Sequence, residues 1–361
     1  MKAVIFAGGV GSRLWPLSRE NTPKQFEPIQ DGKSTLQLAV DRLRSILNLE
    51  DIYISTNEKF RETLINQLPD LPQKNIIFEP ARRDVGPAVG LAVANLYHEF
   101  PDEPIAILWG DHLIQSVEVY QNMLLSASEV IKENPELIVF LGQSPRYANP
   151  NIGWIEYGGI KLTTKNEAVH EFLSFKYKPD IELVRKYTKD GRHAWNMGYF
   201  VSTPRSLWGM FRKYAPELFL DLEKIEASLD TDEYDLVLHD VYPKMPKISF
   251  DHAVLEKLDP TRSLVISADI GWSDVGSWEA LKESLEKSSE DNVTMGEVQI
   301  EGSQNSLVYE NIAGKLVIGI DLDDLVIVDT ADVLLVSKKS SASKVKKIVE
   351  ALKEKGMDKF A

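Results

Sequence analysis

Residues 2–14 read KAVIFAGGVGSRL, a short apolar segment that runs directly into a glycine-rich loop. The apolar part has the length and composition of a buried strand, and the glycines mark the turn that ends it. Farther along, strand-like runs alternate with segments whose apolar residues recur at helical spacing, as in residues 34–46, 86–97 and 117–132. This alternation predicts an α/β fold in which parallel strands carry helices on both faces.

The middle of the chain is less regular. Strand-like runs at residues 153–157, 168–175 and 197–202 are followed by helical segments within residues 204–241. We therefore predict a Rossmann-like, doubly wound mixed sheet with an inserted, partly antiparallel region.

The pattern changes again near residue 288. Short strands separated by turn residues dominate from there on, and a basic helix is predicted over residues 343–355. We predict a large α/β domain over residues 1–288 and a small β domain with a terminal helix over residues 289–361. The strand-and-turn pieces could stack as a short β-helix, although they are not a clean sequence repeat.

Composition narrows the possible partners. The 361 residues are 43% hydrophobic, carry a formal net charge of −14 and include no cysteine. Such an acidic chain is a poor general binder of nucleic acid or anionic membranes, and it has no disulfides or thiolate metal sites. No apolar run approaches the roughly 20 residues of a membrane span, and the N-terminal run is too short for a signal sequence. We expect a soluble, cytoplasmic protein.

The glycine-rich loop is a candidate phosphate site. Its glycines allow close backbone approach, so that successive N–H groups can face a polyphosphate, and Lys24 adds a second cation beyond the loop. The loop lacks the Gly-Lys-Ser/Thr ending of a Walker motif and the third glycine of a dinucleotide fingerprint. A plain strand-to-helix turn is the alternative. The loop residues expected to bind nucleotide are Ala7, Gly8, Gly9, Gly11, Ser12 and Arg13.

Two aspartates are candidate metal ligands. Asp111 follows a predicted strand, at the edge where doubly wound sheets bind ligands. Gly110 before it lets a ligand approach the backbone and is also expected to bind the nucleotide. Asp274 lies between glycines and tryptophans in GWSDVGSW, residues 271–278. The alternatives are a turn or cap for Asp111 and an N-cap for Asp274, at the start of a helix that ends at Leu285. His112 has no metal-ligating neighbour at a suitable spacing, so we interpret it as a hydrogen-bonding residue at a helix start.

The loop sequence resembles a known family. AGGVGSRLWPLSR, residues 7–19, and PKQF, residues 23–26, are similar to the signature of nucleotidyltransferases that activate sugar 1-phosphates, and of mannose-1-phosphate guanylyltransferases in particular. The resemblance implies transfer of GMP from GTP to mannose 1-phosphate, in a short form without the isomerase domain of longer relatives. It implies Mg²⁺ at Asp111 and Asp274, with Arg13 and Lys24 as further catalytic residues. We expect a homodimer.

The same resemblance suggests residues for the base and the sugar. Glu79 and Pro80 begin a loop like the family's Glu-Pro-x-x-Arg segment, and Glu79 could accept hydrogen bonds from guanine N1 and N2; a charged surface loop is the alternative. The residues expected at the sugar phosphate are Gly153, Glu156, Lys178, Asn196 and Asp251. Departures from the family pattern occur at Asp84, Val85, Gly86, Tyr177 and Met197.

Three other functions are alternatives. The departures leave open a related enzyme that uses another sugar or base. A non-catalytic sugar-nucleotide sensor would not need all of Arg13, Lys24, Asp111 and Asp274. A dinucleotide-dependent oxidoreductase is disfavoured, because the second strand ends without the acidic residue that binds ribose.

Overall fold

The computed structural model describes residues 1–9, 14–19 and 21–361. Its strands are β1 (Lys2–Phe6), β2 (Pro28–Gln30), β3 (Lys33–Ser34), β4 (Ile52–Asn57), β5 (Ile76–Glu79), β6 (Ile105–Trp109), β7 (Ile138–Gln143), β8 (Gly153–Thr163), β9 (Ala168–Lys176), β10 (His193–Ser202), β11 (Ser263–Ala268), β12 (Val293–Met295), β13 (Val298–Glu301), β14 (Leu307–Glu310), β15 (Val317–Ile320), β16 (Leu325–Asp329) and β17 (Leu334–Lys338). Its α-helices are α1 (Thr35–Asp41), α2 (Arg61–Gln67), α3 (Val85–Glu99), α4 (Val117–Glu133), α5 (Ile181–Asp190), α6 (Pro204–Tyr214), α7 (Pro216–Ser228), α8 (Tyr234–Val241), α9 (Phe250–Ala253), α10 (Trp278–Leu285) and α11 (Val345–Glu354).

The chain forms two compact units. The large unit consists of Met1–Gly8, Val40–Trp109 and Ser116–Ile270. The small unit consists of Gly9–Ala39, Gly110–Gln115 and Gly271–Ala361. Each unit therefore takes segments from three parts of the chain, whereas the predicted domains follow chain order.

The large unit is built on a nine-stranded sheet with the order β5-β4-β1-β6-β10-β7-β11-β9-β8. Strands β5, β4, β1 and β6 pair in parallel, as do β7 and β11. Strand β10 runs antiparallel to both β6 and β7 between them, and β8 and β9 form an antiparallel edge. The predicted mixed sheet with a partly antiparallel region is confirmed.

Helices cover both faces of this sheet. On β10, Phe200 stacks on Phe250 of α9 with ring centroids 5.3 Å apart. The preceding residue, Tyr199, contacts Tyr120 of α4 with centroids 5.9 Å apart. Because consecutive strand residues point to opposite faces, α4 and α9 lie on opposite sides of the sheet. The doubly wound arrangement follows.

Helix α3 forms the centre of the core on the α9 side. It is rich in alanine and valine, and its residues from Gly86 to Ala94 are buried. Gly90 lets α7 approach closely, since a Cβ atom at this position would come within 2.5 Å of the Leu222 side chain. The small residues that predicted a buried helix thus serve close helix packing.

Three elements of the large unit were not predicted, and the shortest of them is the four-residue helix α9. Strand β11 has the sequence SLVISA and lies inside the sheet between β7 and β9. Helix α5 begins after Asp180, whose side chain accepts a hydrogen bond from the Leu183 N–H. The helix predicted over residues 34–46 is shorter in the structure and ends at Asp41.

The C-terminal part of the small unit coils regularly. Strands β12, β14 and β16 pair in parallel, as do β13 and β15, with β17 added antiparallel to β16. Residues 19 apart pair between β13 and β15 and between β14 and β16, and the polar pairs Gln304–Asp323 and Asn305–Asp324 have the same separation. The predicted short β-helix is confirmed, with a spacing that hydrophobic patterning did not reveal.

Within the part of the chain that the structure describes, no helix combines the length and the apolar character needed to cross a membrane.

Candidate active site

Lys24 lies at the centre of a polar cluster in the small unit. It begins a short 3-10 helix after Pro23, and its side chain is almost fully buried. The ammonium Nζ is 3.0 Å from Asp111 Oδ2 and donates to the backbone oxygen of Asp274 at 2.5 Å. A weaker contact of 3.4 Å reaches the Val275 oxygen. One lysine thus joins three segments that are far apart in sequence.

The start of the glycine-rich loop lies beside the same cluster. Gln25 Nε2 donates to the Gly9 oxygen at 3.0 Å. A Cβ atom at Gly9 would lie 4.0 Å from Asp111 Oδ2. The backbone of Gly9 therefore passes close to the carboxylate. The predicted residues Gly11, Ser12 and Arg13 lie outside the described residues.

Asp111 is held as a carboxylate. It sits in a turn directly after β6, behind the buried Gly110, and its side chain is 30% exposed. Burial alone would raise its pKa, but the Lys24 ammonium holds the pKa of Asp111 below its ordinary value. A negative charge is therefore available at this position near neutral pH.

Asp274 is not the N-cap of a helix, which corrects one alternative from the sequence. Helix α10 begins at Trp278, and Ser277 caps it by accepting a hydrogen bond from the Ala280 N–H. Asp274 instead accepts from the Gly276 N–H at 3.1 Å, in a turn whose next residue, Val275, has φ of +45°. Since a β-branched residue is strained at this φ, the surrounding structure must hold the turn in place.

His112 is likewise not at a helix start, because α4 begins only at Val117. It is buried, and its Nδ1 accepts a hydrogen bond from Trp272 Nε1 at 3.0 Å. Its Nε2 lies 3.5 Å from Asp111 Oδ1. The prediction that His112 makes hydrogen bonds is correct, but the partner is a distant tryptophan.

The donor chemistry here suits a hard cation. Among the described residues, no group of three or more His, Cys, Asp or Glu side chains could enclose a metal ion. Mg²⁺ does not require such a cage, since it commonly binds one or two carboxylates together with substrate phosphates and water. The ionised, partly exposed Asp111 provides oxygen ligands of this kind, and the Asp274 turn adjoins it through Lys24.

The segment between the loop and Lys24 is anchored within the small unit. Trp278 Nε1 donates to the Trp15 oxygen at 2.9 Å, and Trp15 Nε1 donates to the Phe360 oxygen at 2.6 Å. Arg19 makes a two-pronged ion pair with Asp332, at 2.8 and 2.6 Å. These contacts give the tryptophan and arginine of the signature a structural role.

In the large unit, Glu79 ends β5 and is 7% exposed. The Tyr242 hydroxyl donates to its Oε2 at 2.7 Å. Burial raises the pKa of Glu79 to about 7, and the Tyr242 hydrogen bond and the Arg82 charge only partly offset this effect. A Cβ atom at Gly8 would lie 3.7 Å from Oε1, so this second oxygen faces the end of β1. Glu79 is therefore a buried group and not part of a charged surface loop.

Ala7 and Pro80, which were also expected to bind the nucleotide, belong to the large unit as well. Ala7 continues β1, and its oxygen accepts from the buried Thr56 hydroxyl at 2.8 Å. Pro80 is half-buried and directly follows Glu79. Asp84 has φ of +70° and caps α3 by accepting from the Val85 N–H at 2.7 Å. The departure from Asn to Asp at this position thus preserves a capping side chain.

Two of the predicted sugar-site residues meet directly. Gly153 of β8 pairs with Asn196 of β10, and a Cβ atom at Gly153 would lie 3.3 Å from Asn196 Cβ and 2.9 Å from the Phe175 ring. The Asn196 Oδ1 accepts from the Gly198 N–H at 3.0 Å, where β10 bulges. Glu156, farther along β8, accepts from Ser174 at 2.9 Å. Glycine is required at 153 because any side chain would collide with these neighbours.

The remaining two sugar-site residues are linked less directly. The exposed Lys178 has its ammonium 4.8 Å from the centre of the Tyr177 ring. That ring contacts His252 with centroids 5.4 Å apart, and His252 follows Asp251 on α9. Burial raises the pKa of Asp251 above its ordinary value. Tyr177, which replaces the family's usual Glu, therefore lies between the lysine and the α9 segment.

Comparisons with known proteins agree with this geometry. Residues 2–291 match the family described as nucleotidyl transferase, and residues 296–352 match a MannoseP isomerase/GMP-like beta-helix domain. The chain belongs to the nucleotidyl transferase family. It is 35% identical to mannose-1-phosphate guanylyltransferase 2 of Escherichia coli O157:H7, over 97% of this chain and 73% of that protein. It is 34% identical to a mannose-1-phosphate guanylyltransferase of Klebsiella pneumoniae, over 97% and 74% of the two chains.

A solved structure is similar over almost the whole chain. The crystal structure of a mannose-1-phosphate geranyltransferase from Thermus thermophilus aligns with a TM-score of 0.86 at 29% identity, and covers 98% of this chain and 99% of that one. Members of the nucleotidyl transferase family generally use a divalent metal ion. The carboxylate chemistry around Lys24 is consistent with that property.

Two residues of this nucleotidyltransferase that matter to the site were missed by sequence reasoning. Tyr242 contacts Glu79 from 163 positions away, and Trp272 contacts His112 from 160 positions away. Trp272 does lie in the GWSDVGSW motif, so the motif itself was an available signal. No local pattern around Tyr242 indicated its role.

Proposed function

We propose that this nucleotidyltransferase transfers GMP from GTP to α-D-mannose 1-phosphate and releases GDP-mannose and pyrophosphate. Sequence similarity to enzymes named for this reaction supports the choice of substrates. The observation that carries the proposal is the Lys24–Asp111 pair beside the Gly9 backbone, because it combines a cation, an oxygen ligand for a metal and a phosphate-binding loop.

The reaction needs no general base. A phosphate oxygen of mannose 1-phosphate is already an anion, and it attacks the α-phosphorus of GTP while the bond to the β-phosphate oxygen breaks. The electron pair of that bond leaves with pyrophosphate. The enzyme must hold this in-line geometry and offset the repulsion between two anions.

Cations and backbone N–H groups of the chain perform this task. We assign charge stabilisation to Arg13, Lys24 and Lys178, and binding of the triphosphate to the loop N–H groups from Gly8 to Ser12. Asp111 and Asp274 would hold Mg²⁺, which when bound neutralises phosphate charge and orients the triphosphate. Lys24 keeps Asp111 ionised and therefore able to bind a cation.

We assign recognition of guanine to Glu79 and Pro80. An ionised Glu79 accepts hydrogen bonds, and guanine N1 and N2 are donors, whereas adenine N1 is an acceptor. Burial makes the match selective, since each buried carboxylate hydrogen bond that the wrong base fails to make costs about 1–3 kcal/mol.

We assign contacts with the sugar phosphate to Gly153, Glu156, Asn196 and Asp251, together with Lys178. The side chains of Glu156, Asn196 and Asp251, with that of Lys178, offer the acceptors and donors that sugar hydroxyls require. Gly153 allows close approach to the backbone. We further propose residues 1–288 as the catalytic domain and residues 289–361 as the small β domain. The homodimer and the cytoplasmic location stay predictions from sequence.

The test measures pyrophosphate release with Mg²⁺, each nucleoside triphosphate and a panel of sugar 1-phosphates. We expect the highest kcat/KM with GTP and mannose 1-phosphate. Asp111→Asn should abolish turnover while the thermal unfolding midpoint stays near that of the wild type. A preference for another base or sugar would overturn the substrate assignment, and near-normal activity of Asp111→Asn would overturn the metal assignment.

A further inference from the structure

The buried pair His112–Trp272 lies next to the proposed metal-binding carboxylate. His112 and Trp272 are 8% and 5% exposed, and their rings meet edge to face at 85° with centroids 5.1 Å apart. Trp272 Nε1 donates to His112 Nδ1 at 3.0 Å. Neither residue has a role in the reaction described above.

This hydrogen bond determines where the imidazole carries its proton. An indole N–H can only donate, so Nδ1 must be the acceptor. A neutral ring then carries its hydrogen on Nε2, which lies 3.5 Å from Asp111 Oδ1. The other carboxylate oxygen, Oδ2, is 3.0 Å from Lys24 Nζ. The two oxygens of Asp111 therefore face different donors.

The backbone holds this arrangement in register. Leu113 and Ser273 exchange two hydrogen bonds, each 3.0 Å long, as an antiparallel bridge. The bridge places His112 and Trp272, each the residue before a bridge partner, on adjoining segments. The direction of the imidazole is thus fixed both by a side-chain hydrogen bond and by the pairing of the segments that carry it.

We propose that Trp272 and His112 are positioning residues that orient the Asp111 carboxylate for a divalent cation. The inference rests on the proposed metal role of Asp111. It extends that role to a relay in which the indole orients the imidazole and the imidazole orients the carboxylate. Neighbours that orient a metal ligand in this way commonly change metal affinity by about 10- to 100-fold when they are removed.

Binding of Mn²⁺, followed by electron paramagnetic resonance of the purified protein with GTP present and mannose 1-phosphate omitted, tests the relay. Trp272→Phe keeps the aromatic packing but removes the N–H donor, and we expect its Kd for Mn²⁺ to rise about tenfold. The matched control is Trp278→Phe, which also removes a buried indole donor of the small unit, here one that bonds the Trp15 oxygen at 2.9 Å. We expect its Mn²⁺ affinity to remain that of the wild type.

A second pair of variants separates orientation from packing. His112→Gln keeps a side-chain N–H donor at this position, so we expect it to retain part of the affinity that His112→Ala loses. Equal Mn²⁺ affinity in Trp272→Phe and Trp278→Phe would overturn the relay, as would equal losses in the two His112 variants. Asp111→Asn distinguishes a failure of the relay from a failure of the proposed metal site. If it binds Mn²⁺ like the wild type, the metal assignment itself is wrong; if it alone loses binding, only the relay is wrong.

Discussion

The buried carboxylate of Glu79 should make the stability of the protein depend on pH in a way that one substitution removes. Its pKa is raised from 4.5 to about 7, with burial as the main cause. Between these two values the folded protein holds a proton that the unfolded chain has released. Folding is therefore opposed increasingly as pH rises through this range, and the full penalty is present above about pH 7.

The size of this effect follows from the shift. Between pH 5 and pH 8, a pKa change from 4.5 to about 7 lowers the free energy of unfolding by about 2–3 kcal/mol. Glu79→Gln cannot ionise and lacks this dependence. The difference in unfolding free energy between the variant and the wild type should thus shift by about 2–3 kcal/mol in favour of the variant from pH 5 to pH 8. Any constant effect of the amide on the Tyr242 hydrogen bond cancels in that comparison.

Urea unfolding at pH 5, 6, 7 and 8 measures this difference. Glu62→Gln serves as the control, because Glu62 is an exposed carboxylate on α2 whose charge stays in water in both states. We expect the Glu62 variant to follow the wild type across the series. A Glu79→Gln difference that stayed constant within about 0.5 kcal/mol would refute the reasoning, since it would mean that the carboxylate is solvated or fully compensated.

Three further changes have defined outcomes. Lys24→Met keeps the buried aliphatic stem but removes the ammonium, and should lower kcat by about 100-fold or more in a pyrophosphate-release assay; activity within about threefold of wild type would contradict this. Gly86→Ala restores the family's usual residue, yet its Cβ would lie 2.6 Å from the Ile248 oxygen. We therefore expect the free energy of unfolding measured in urea to fall by about 1–3 kcal/mol, and an unchanged unfolding midpoint would contradict this. Tyr242→Phe removes a hydrogen-bond donor from the buried Glu79 carboxylate and should destabilise the protein by about 1–3 kcal/mol at pH 8 and less at pH 5; equal losses at both pH values would contradict this.

Much of the fold could be predicted from the sequence, because many of its strands and helices are marked by patterns within a short stretch of residues. The apolar run at β1, the small residues of α3 and the turn-rich C-terminal part each predicted the element that forms. Strand β11 was missed because SLVISA is a short apolar run without alternation, and such runs do not distinguish a strand from a buried helix segment. Its place inside the sheet depends on partners far away in the chain.

The sequence predicted which residues belong to the candidate site, but it did not predict the contacts that they make. The motif around Lys24 indicated a cation, but its main backbone partner is the Asp274 oxygen, 250 positions away. Glu79 could be assigned to base recognition, whereas its burial and the partner Tyr242 depend on packing. The type of a residue indicates which reactions it can support. Its protonation state depends on its neighbours in the folded structure, and a single sequence does not reveal those neighbours.

The contacts of Lys24 also bear on how it acts. An ammonium has three N–H donors, and here two are taken by the Asp111 carboxylate and the Asp274 oxygen, while the Val275 oxygen lies at a weak 3.4 Å. Because the side chain is only 8% exposed, a phosphate oxygen can reach it only in exchange for one of these partners. In the state described, Lys24 therefore serves chiefly to keep Asp111 charged and to hold the Asp274 turn against it. Lys24→Arg should separate the two roles: a guanidinium preserves the charge but not the compact geometry, so a large loss of activity would favour the positioning role.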